Sequence, residues 1–195
     1  MKIQKALIIA VPVIVLAVVA GYLASRGHAT GKPSTAPQST FSLAKAQSFE
    51  GFPVYDAGPS VAGLPLVAVL RRNDAPTNYV SFIYGDCRAA DDMGCAPPVE
   101  VQVWPACVRN PSLYGSPKGP RPEKTSVRGV PAAFVDNDGL RLEIQTGTST
   151  VVVFARSRDE ALTVADALRG VNVAAGRTVS LPPPAAGVLS GALRC

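Results

Sequence analysis

The sequence predicts an α+β protein, a single antiparallel β-sheet covered by one or two helices and preceded by one transmembrane helix. Three observations predict it. Short alternating or β-branched runs recur between residues 66 and 155, one amphipathic segment with helix-start chemistry follows them, and an uncharged apolar stretch opens the chain. The 195 residues hold one ordinary domain beyond that stretch. Charged residues make up 17% of the chain, below the roughly 25% of an average soluble protein, so either the core is large or part of the chain is not in water. A single histidine excludes multi-histidine zinc sites and the metalloproteases that carry two histidines on one helix.

Lys2 and Lys5 precede the uncharged run Ala6 to Ala24. As a helix this run measures about 28 Å, close to the roughly 30 Å of bilayer hydrocarbon. It exceeds the roughly 7–15 apolar residues of a signal peptide and predicts a retained anchor. Small residues at Ala20, Gly21, Ala24 and Ser25 leave a cleavage site available, so secretion after cleavage is the alternative. No cysteine lies in or just after the run, which excludes a lipid-modified start. Lys2 and Lys5 are balanced by Arg26 and Lys32, and orientation is decided by the cysteine-bearing cargo that follows. The expected organisation is a short cytoplasmic end at 1–5, an anchor or signal segment at 6–25, a linker at 26–40, an extracytoplasmic α+β domain at 41–173 and a Pro/Gly/Ala-rich tail at 174–195. The linker carries Gly, Pro, Ser and Thr without apolar periodicity, together with His28, read as a solvated linker residue.

Within the domain, Phe41 to Gln47 suits a short helix that ends near Gly51 and Pro53. Leu66 to Leu70, Tyr79 to Tyr84 and Val99 to Trp104 read as strands, the last alternating valines with Glu100, Gln102 and Trp104. Ala132 to Val135, Leu140 to Thr146 and Thr150 to Ala155 predict a three-stranded meander, with turns at Asn137-Asp138-Gly139 and Gly147. The almost continuous apolar character of the third suits a central strand. Ser157 with Glu160 forms a capping box; Ala161, Leu162, Val164, Ala165 and Leu168 form the apolar stripe, and Gly170 is the expected stop. Asp159 and Glu160 in the first turn and Arg169 in the last would complement the helix dipole.

Cys87, Cys95, Cys107 and Cys195 form an even set in a chain read as lying outside the cytoplasm, where disulfides persist. Four cysteines allow three pairings. The simplest geometry staples Cys87 to Cys95 within one loop and leaves Cys107 to pin the tail through Cys195. Their spacings are too wide for a zinc site or a redox motif. Acids cluster from Asp74 to Glu100, and five bases, Arg109, Lys118, Arg121, Lys124 and Arg128, follow from Pro105 onward. Those bases are candidate contacts for anionic lipid headgroups or wall polymers, or else a solvated loop that faces the acidic one. Asp86, Asp91 and Asp92 are a weak calcium signal, and Asp136 to Gly139 is a turn, since the flanking positions lack the ligands of a calcium loop.

Catalytic constellations are missing. His28 in a linker supports neither a Ser-His-Asp nor a Cys-His arrangement, and no phosphate loop or dinucleotide fingerprint occurs. A Ser–Lys pair would have to use Lys45, Lys118 or Lys124. Tyr79, Phe82, Tyr84 and Trp104 either line a groove or serve the core. The net charge of +5 falls to +3 once Lys2 and Lys5 are set aside, and does not argue for nucleic acid.

The chain runs from an anchor and tether through Gly51-Phe52-Pro53-Val54, a series of strands and Val127-Arg128-Gly129-Val130-Pro131-Ala132 to a hairpin and a Ser-x-x-Glu helix. This order resembles the uncharacterised extracytoplasmic α+β domains of bacterial lipoproteins and membrane-anchored proteins, over Phe41 to Gly170. The resemblance implies a sensing, binding or envelope-maintenance module and carries no catalytic residues with it. The cysteine-bearing stretch Asp86 to Cys107 and the Cys195 tail depart from the pattern. The expected protein is therefore a single-pass, membrane-anchored, non-enzymatic binding or accessory module of the bacterial envelope, without a cofactor or metal. Its expected partners are the membrane and an envelope protein, anionic lipid or wall polymer. A carrier or sensor of lipid or wall fragments would need an enclosed apolar cavity between sheet and helix; a small hydrolase would need a cleft with convergent ionisable groups.

Overall fold

A computed structural model describes residues 41–74, 76–87, 95–111, 121–135, 140–173 and 180–195. The expected anchor, linker and His28 lie outside the described residues, as do Lys118, Asp91, Asp92 and the Asp136–Gly139 turn. No helix among the described residues is long and apolar enough to cross a membrane.

The α+β expectation with one sheet is corrected. Of the described residues 43% are strand and 12% helix, so the class is mainly β, with one eight-stranded sheet and a second sheet of two strands. The helices are short: α1 is Leu43–Gln47 and α2 is Arg158–Asp166. The large sheet contains β2 (Ser60–Val61), β3 (Leu64–Asp74), β4 (Thr77–Tyr84), β5 (Val99–Pro105), β6 (Glu123–Val127), β7 (Val130–Val135), β8 (Arg141–Thr146) and β9 (Ser149–Phe154). β1 (Tyr55–Asp56) and β10 (Arg169–Gly170) make the small one.

The strand order of the large sheet is β2-β3-β4-β5-β9-β8-β7-β6, antiparallel throughout. It consists of two four-stranded meanders. After β5 the chain crosses to the far edge, begins again at β6 and winds back until β9 pairs with β5. The expected meander is its second half, extended by β6. β6 was not legible because its residues, Glu-Lys-Thr-Ser-Val, are those of a charged edge strand, where burial does not select apolar side chains. β3 is longer than its apolar stretch for a related reason: Arg72, Asn73 and Asp74 form the exposed end of the β3–β4 hairpin.

Period-two alternation gives the sheet two chemically different faces. On one face stand Val80, Phe82, Val99, Val101, Val103, Leu142, Ile144, Val151 and Val153, all fully buried. α2 covers this face with Ala161, Val164 and Ala165, also fully buried. Ser157 caps α2 by accepting from the Glu160 N–H at 3.2 Å, as its Ser-x-x-Glu pattern predicts, and Glu160 pairs with Arg156 at 2.6 Å. The C-terminal end differs from expectation. α2 stops at Asp166, and Gly170 lies in β10. Arg169 does not serve the helix dipole but binds the buried Asp56 through Nε at 2.7 Å. The carbonyl of Leu168, just beyond the helix, is taken by Arg128 from the β6–β7 turn. That turn has positive φ at both Arg128 (47°) and Gly129 (86°), the twist that two-residue hairpin loops favour.

Tyr84 reaches the small sheet from β4 and accepts the Ala57 N–H at 2.8 Å. Burial pushes its phenol well above the ordinary tyrosine value, and the Asp56 charge adds to this. Burial also raises Tyr55 and Tyr79. A phenol with a raised folded pKa stabilises the fold fully below its unfolded pKa of about 10, and the contribution is lost as pH rises beyond it. The denaturation midpoint is therefore expected to hold from neutral pH to about pH 9 and fall steeply above 10. Urea titrations across that range test it; a flat midpoint to pH 11.5 would contradict the burial of these hydroxyls.

Candidate functional site

The face of the sheet opposite α2 carries the polar half of each alternation, yet much of it is buried. Ser81, Glu143, Gln145 and Thr150 are at most 1% exposed. Their cover comes in part from the chain after β5, which folds back across this face: the Thr150 hydroxyl donates to the Arg109 carbonyl at 2.5 Å. Arg109 then makes two parallel bonds to the Glu143 carboxylate, at 3.0 and 2.5 Å, while Arg141 donates to the same carboxylate at 2.9 Å. The Arg109 guanidinium lies 5.2 Å from the centre of the Trp104 ring, and Tyr79 stacks on that ring at 4.4 Å. Trp104 donates to Gln102, Gln102 to Glu100, and Ser81 to Glu100, at 3.0, 2.8 and 2.6 Å. These hydrogen bonds link the polar side chains of the belt to one another, and they tie β4 to β5, and β8 and β9 to the segment after β5.

Next to this belt lies a cleft of about 610 Å³, at the β6–β7 side of the sheet. Pro111 and Leu189 come from the two segments that flank it; Pro131, Ala132 and Ala133 come from β7, Pro122 and Arg121 from the entry to β6, and Lys124 from β6 itself. Gln145 also lines it. Arg121 and Lys124 are exposed, and among the described residues no carboxylate lines the cleft. Leu189 is the one large hydrophobic side chain standing exposed among the described residues, at 51%.

Two disulfides hold the surrounding chain. Cys87 pairs with Cys95 and Cys107 with Cys195, with Cα separations of 5.9 and 5.4 Å. The arrangement is the expected one, and it marks a protein of an oxidising location, extracytoplasmic or secreted. Between Leu181 and Cys195 the tail is tied down along its length. Leu181 donates to the Arg128 carbonyl, Thr146 and Gly147 donate to the Pro182 carbonyl, and Ala185 donates to Gly147. Val188 is fully buried and its neighbour Leu189 faces the cleft.

The five basic candidates separate. Arg121 and Lys124 come together on the cleft. Arg109 is committed to Glu143 and Arg128 to the end of α2; Lys118 is outside the described residues. The counter-charge that Arg109 finds is on β8, not in the acidic stretch before Glu100. The aromatic candidates also divide: Phe82 and Tyr84 belong to the core, whereas Tyr79 and Trp104 stack on the polar face. Leu189 and Gln145 were not legible as site residues. Leu189 sits in a Gly- and Ala-rich tail without periodicity, and only the docking of that tail places it beside β7.

No protein-family model, curated protein or solved structure matches the chain. The functional reading therefore rests on the geometry.

Proposed function

We propose that this is a non-enzymatic binding or accessory module that works on the outer side of a bacterial membrane. In this reading the apolar run 6–24 attaches the domain to the membrane, or releases it as a secreted protein if the run is cleaved. The observation that supports it is the cleft: two exposed cations and a set of apolar side chains line it together, on a frame closed by the Cys107–Cys195 disulfide. Its volume falls within the 300–1,000 Å³ of small-molecule sites. Its walls offer cations, prolines and an amide, a combination suited to holding an anionic ligand. An enclosed carrier cavity between sheet and helix finds less support, because the α2 face is filled by fully buried valines and alanines.

The test is photo-crosslinking of the full chain in its native membrane. A crosslinker in place of Leu189 or Lys124 is expected to give an adduct that the same group at Arg72, exposed on the β3–β4 hairpin, does not give. Identical adducts at all three positions, or none at any, would count against a binding module centred on this cleft.

A further inference from the structure

We infer that the cleft beside β7 takes a small amphiphilic anion, a single phosphate or carboxylate head joined to a short apolar chain; this rests on the binding-module reading and gives its ligand a chemical class. The head is specified by charge. Among the described residues Arg121 and Lys124 both line the cleft, no Asp or Glu does, and neither cation forms an ion pair. The contrast with the other arginines is informative. Arg109, Arg141, Arg156, Arg158 and Arg169 each meet a carboxylate within 2.5 to 2.9 Å. Arg71, Arg72 and Arg194 also lack an ion pair among the described residues, but Arg121 and Lys124 are the unpaired cations that line this cleft, and an anionic head on Arg121 gains a charge-assisted, two-pronged hydrogen bond.

The apolar part is specified by the rest of the lining. Pro111, Pro122, Pro131, Ala132, Ala133 and Leu189 offer a surface that loses no rotamer freedom on contact except at Leu189, which leaves water when covered. Prolines on three separate segments and the disulfide-tied tail make that wall preformed, so ordering costs on binding are low. A free inorganic anion would leave this wall wet, and a neutral apolar molecule would leave the two cations unused. Only a ligand with both parts uses both sets of side chains.

The experiment uses the full chain in mild non-ionic detergent and three titrants: octyl phosphate, inorganic phosphate and octyltrimethylammonium. Binding is followed by amide and methyl NMR shifts around Leu189, Ala133 and Gln145. Octyl phosphate is expected to bind, with inorganic phosphate and the cationic amphiphile at least about tenfold weaker. The double variant R121Q/K124Q should weaken octyl phosphate by about tenfold or more. Leu189→Ser should weaken it while leaving inorganic phosphate unaffected. Equal binding of the cationic amphiphile, or no loss in R121Q/K124Q, would overturn the anionic head. Equal binding of inorganic phosphate would overturn the apolar part. A final arm uses vesicles of phosphatidylglycerol and of phosphatidylcholine; binding to the anionic vesicles with no response to octyl phosphate would replace a single-molecule site by a membrane-surface contact. Failure of octyl phosphate alongside a specific crosslink at Leu189 would sink this inference and leave the binding-module reading standing. Unchanged unfolding midpoints check that the variants, all at exposed positions, keep the fold.

Discussion

Replacing Cys107 and Cys195 together by serine is expected to lower the unfolding free energy of the full chain by about 4–5 kcal/mol, against about 2.5 kcal/mol for the Cys87/Cys95 pair. The difference follows from loop length. The first bridge joins residues 88 apart in sequence and the second residues 8 apart, and the chain entropy a crosslink removes from the unfolded state grows with the logarithm of that separation. Loss of the long bridge has a second consequence. It frees the end of the tail, which carries Leu189, so hydrogen exchange at Val188 and Leu189 should accelerate while β9 stays protected. Urea unfolding of the two double variants, followed by exchange mass spectrometry, measures both effects. A smaller loss for Cys107/Cys195 than for Cys87/Cys95 would show that strain or residual structure outweighs loop closure here.

Replacing Glu143 by alanine is expected to cost about 3 kcal/mol, in the range found when one partner of a buried pair is removed. The carboxylate is fully buried, and its removal leaves Arg109 and Arg141 facing each other without a counter-charge. Their side chains are 23% and 16% exposed, so water softens the penalty and places it at the lower end. The chain has a single tryptophan, Trp104, against which Arg109 stacks, so the same substitution has an optical signature. Its emission should shift to the red as the guanidinium lets go and water reaches the ring. Replacing Glu143, Arg109 and Arg141 together by leucine should recover much of the lost stability, because the desolvation cost of three charges disappears with their attraction. A cost below about 1 kcal/mol for Glu143→Ala, with unchanged emission, would mean the triad is solvated and contributes little.

The elements most readable in the sequence are those whose environment is set locally. Val99 to Trp104 alternates because one side of β5 meets the core, and the run of valines in β9 is continuous because that strand lies in the middle of the sheet. Ser157 and Glu160 announce the start of α2 because a capping box is made from neighbours in the chain. The elements that escaped are those whose partners are distant. β6 looks like loop because an edge strand takes its hydrogen bonds on one side and its side chains from solvent. β10 pairs with β1, and the Asp56–Arg169 pair spans 113 residues. Arg169, close to the helix in sequence, reaches Asp56 instead, and Arg128 takes the carbonyl beyond the end of α2.

By itself, the sequence determined three strands of each meander in outline, the start of α2, and the two disulfide partnerships as the simplest geometry, and it offered five bases as candidate contacts without separating them. These depend on period, capping and spacing, which are properties of short segments. Only the tertiary structure decided that the class is mainly β, that two of five bases share a cleft while two are consumed by the fold, and that Leu189 stands beside them. A cleft is made by surfaces brought together from five parts of the chain, residues 111, 121–125, 131–133, 145 and 189, and no local pattern encodes their meeting. The same is true of charge: whether an arginine is a contact for a partner or a strut of the fold depends on which carboxylate lies opposite, and for Arg109 that carboxylate is 34 residues away.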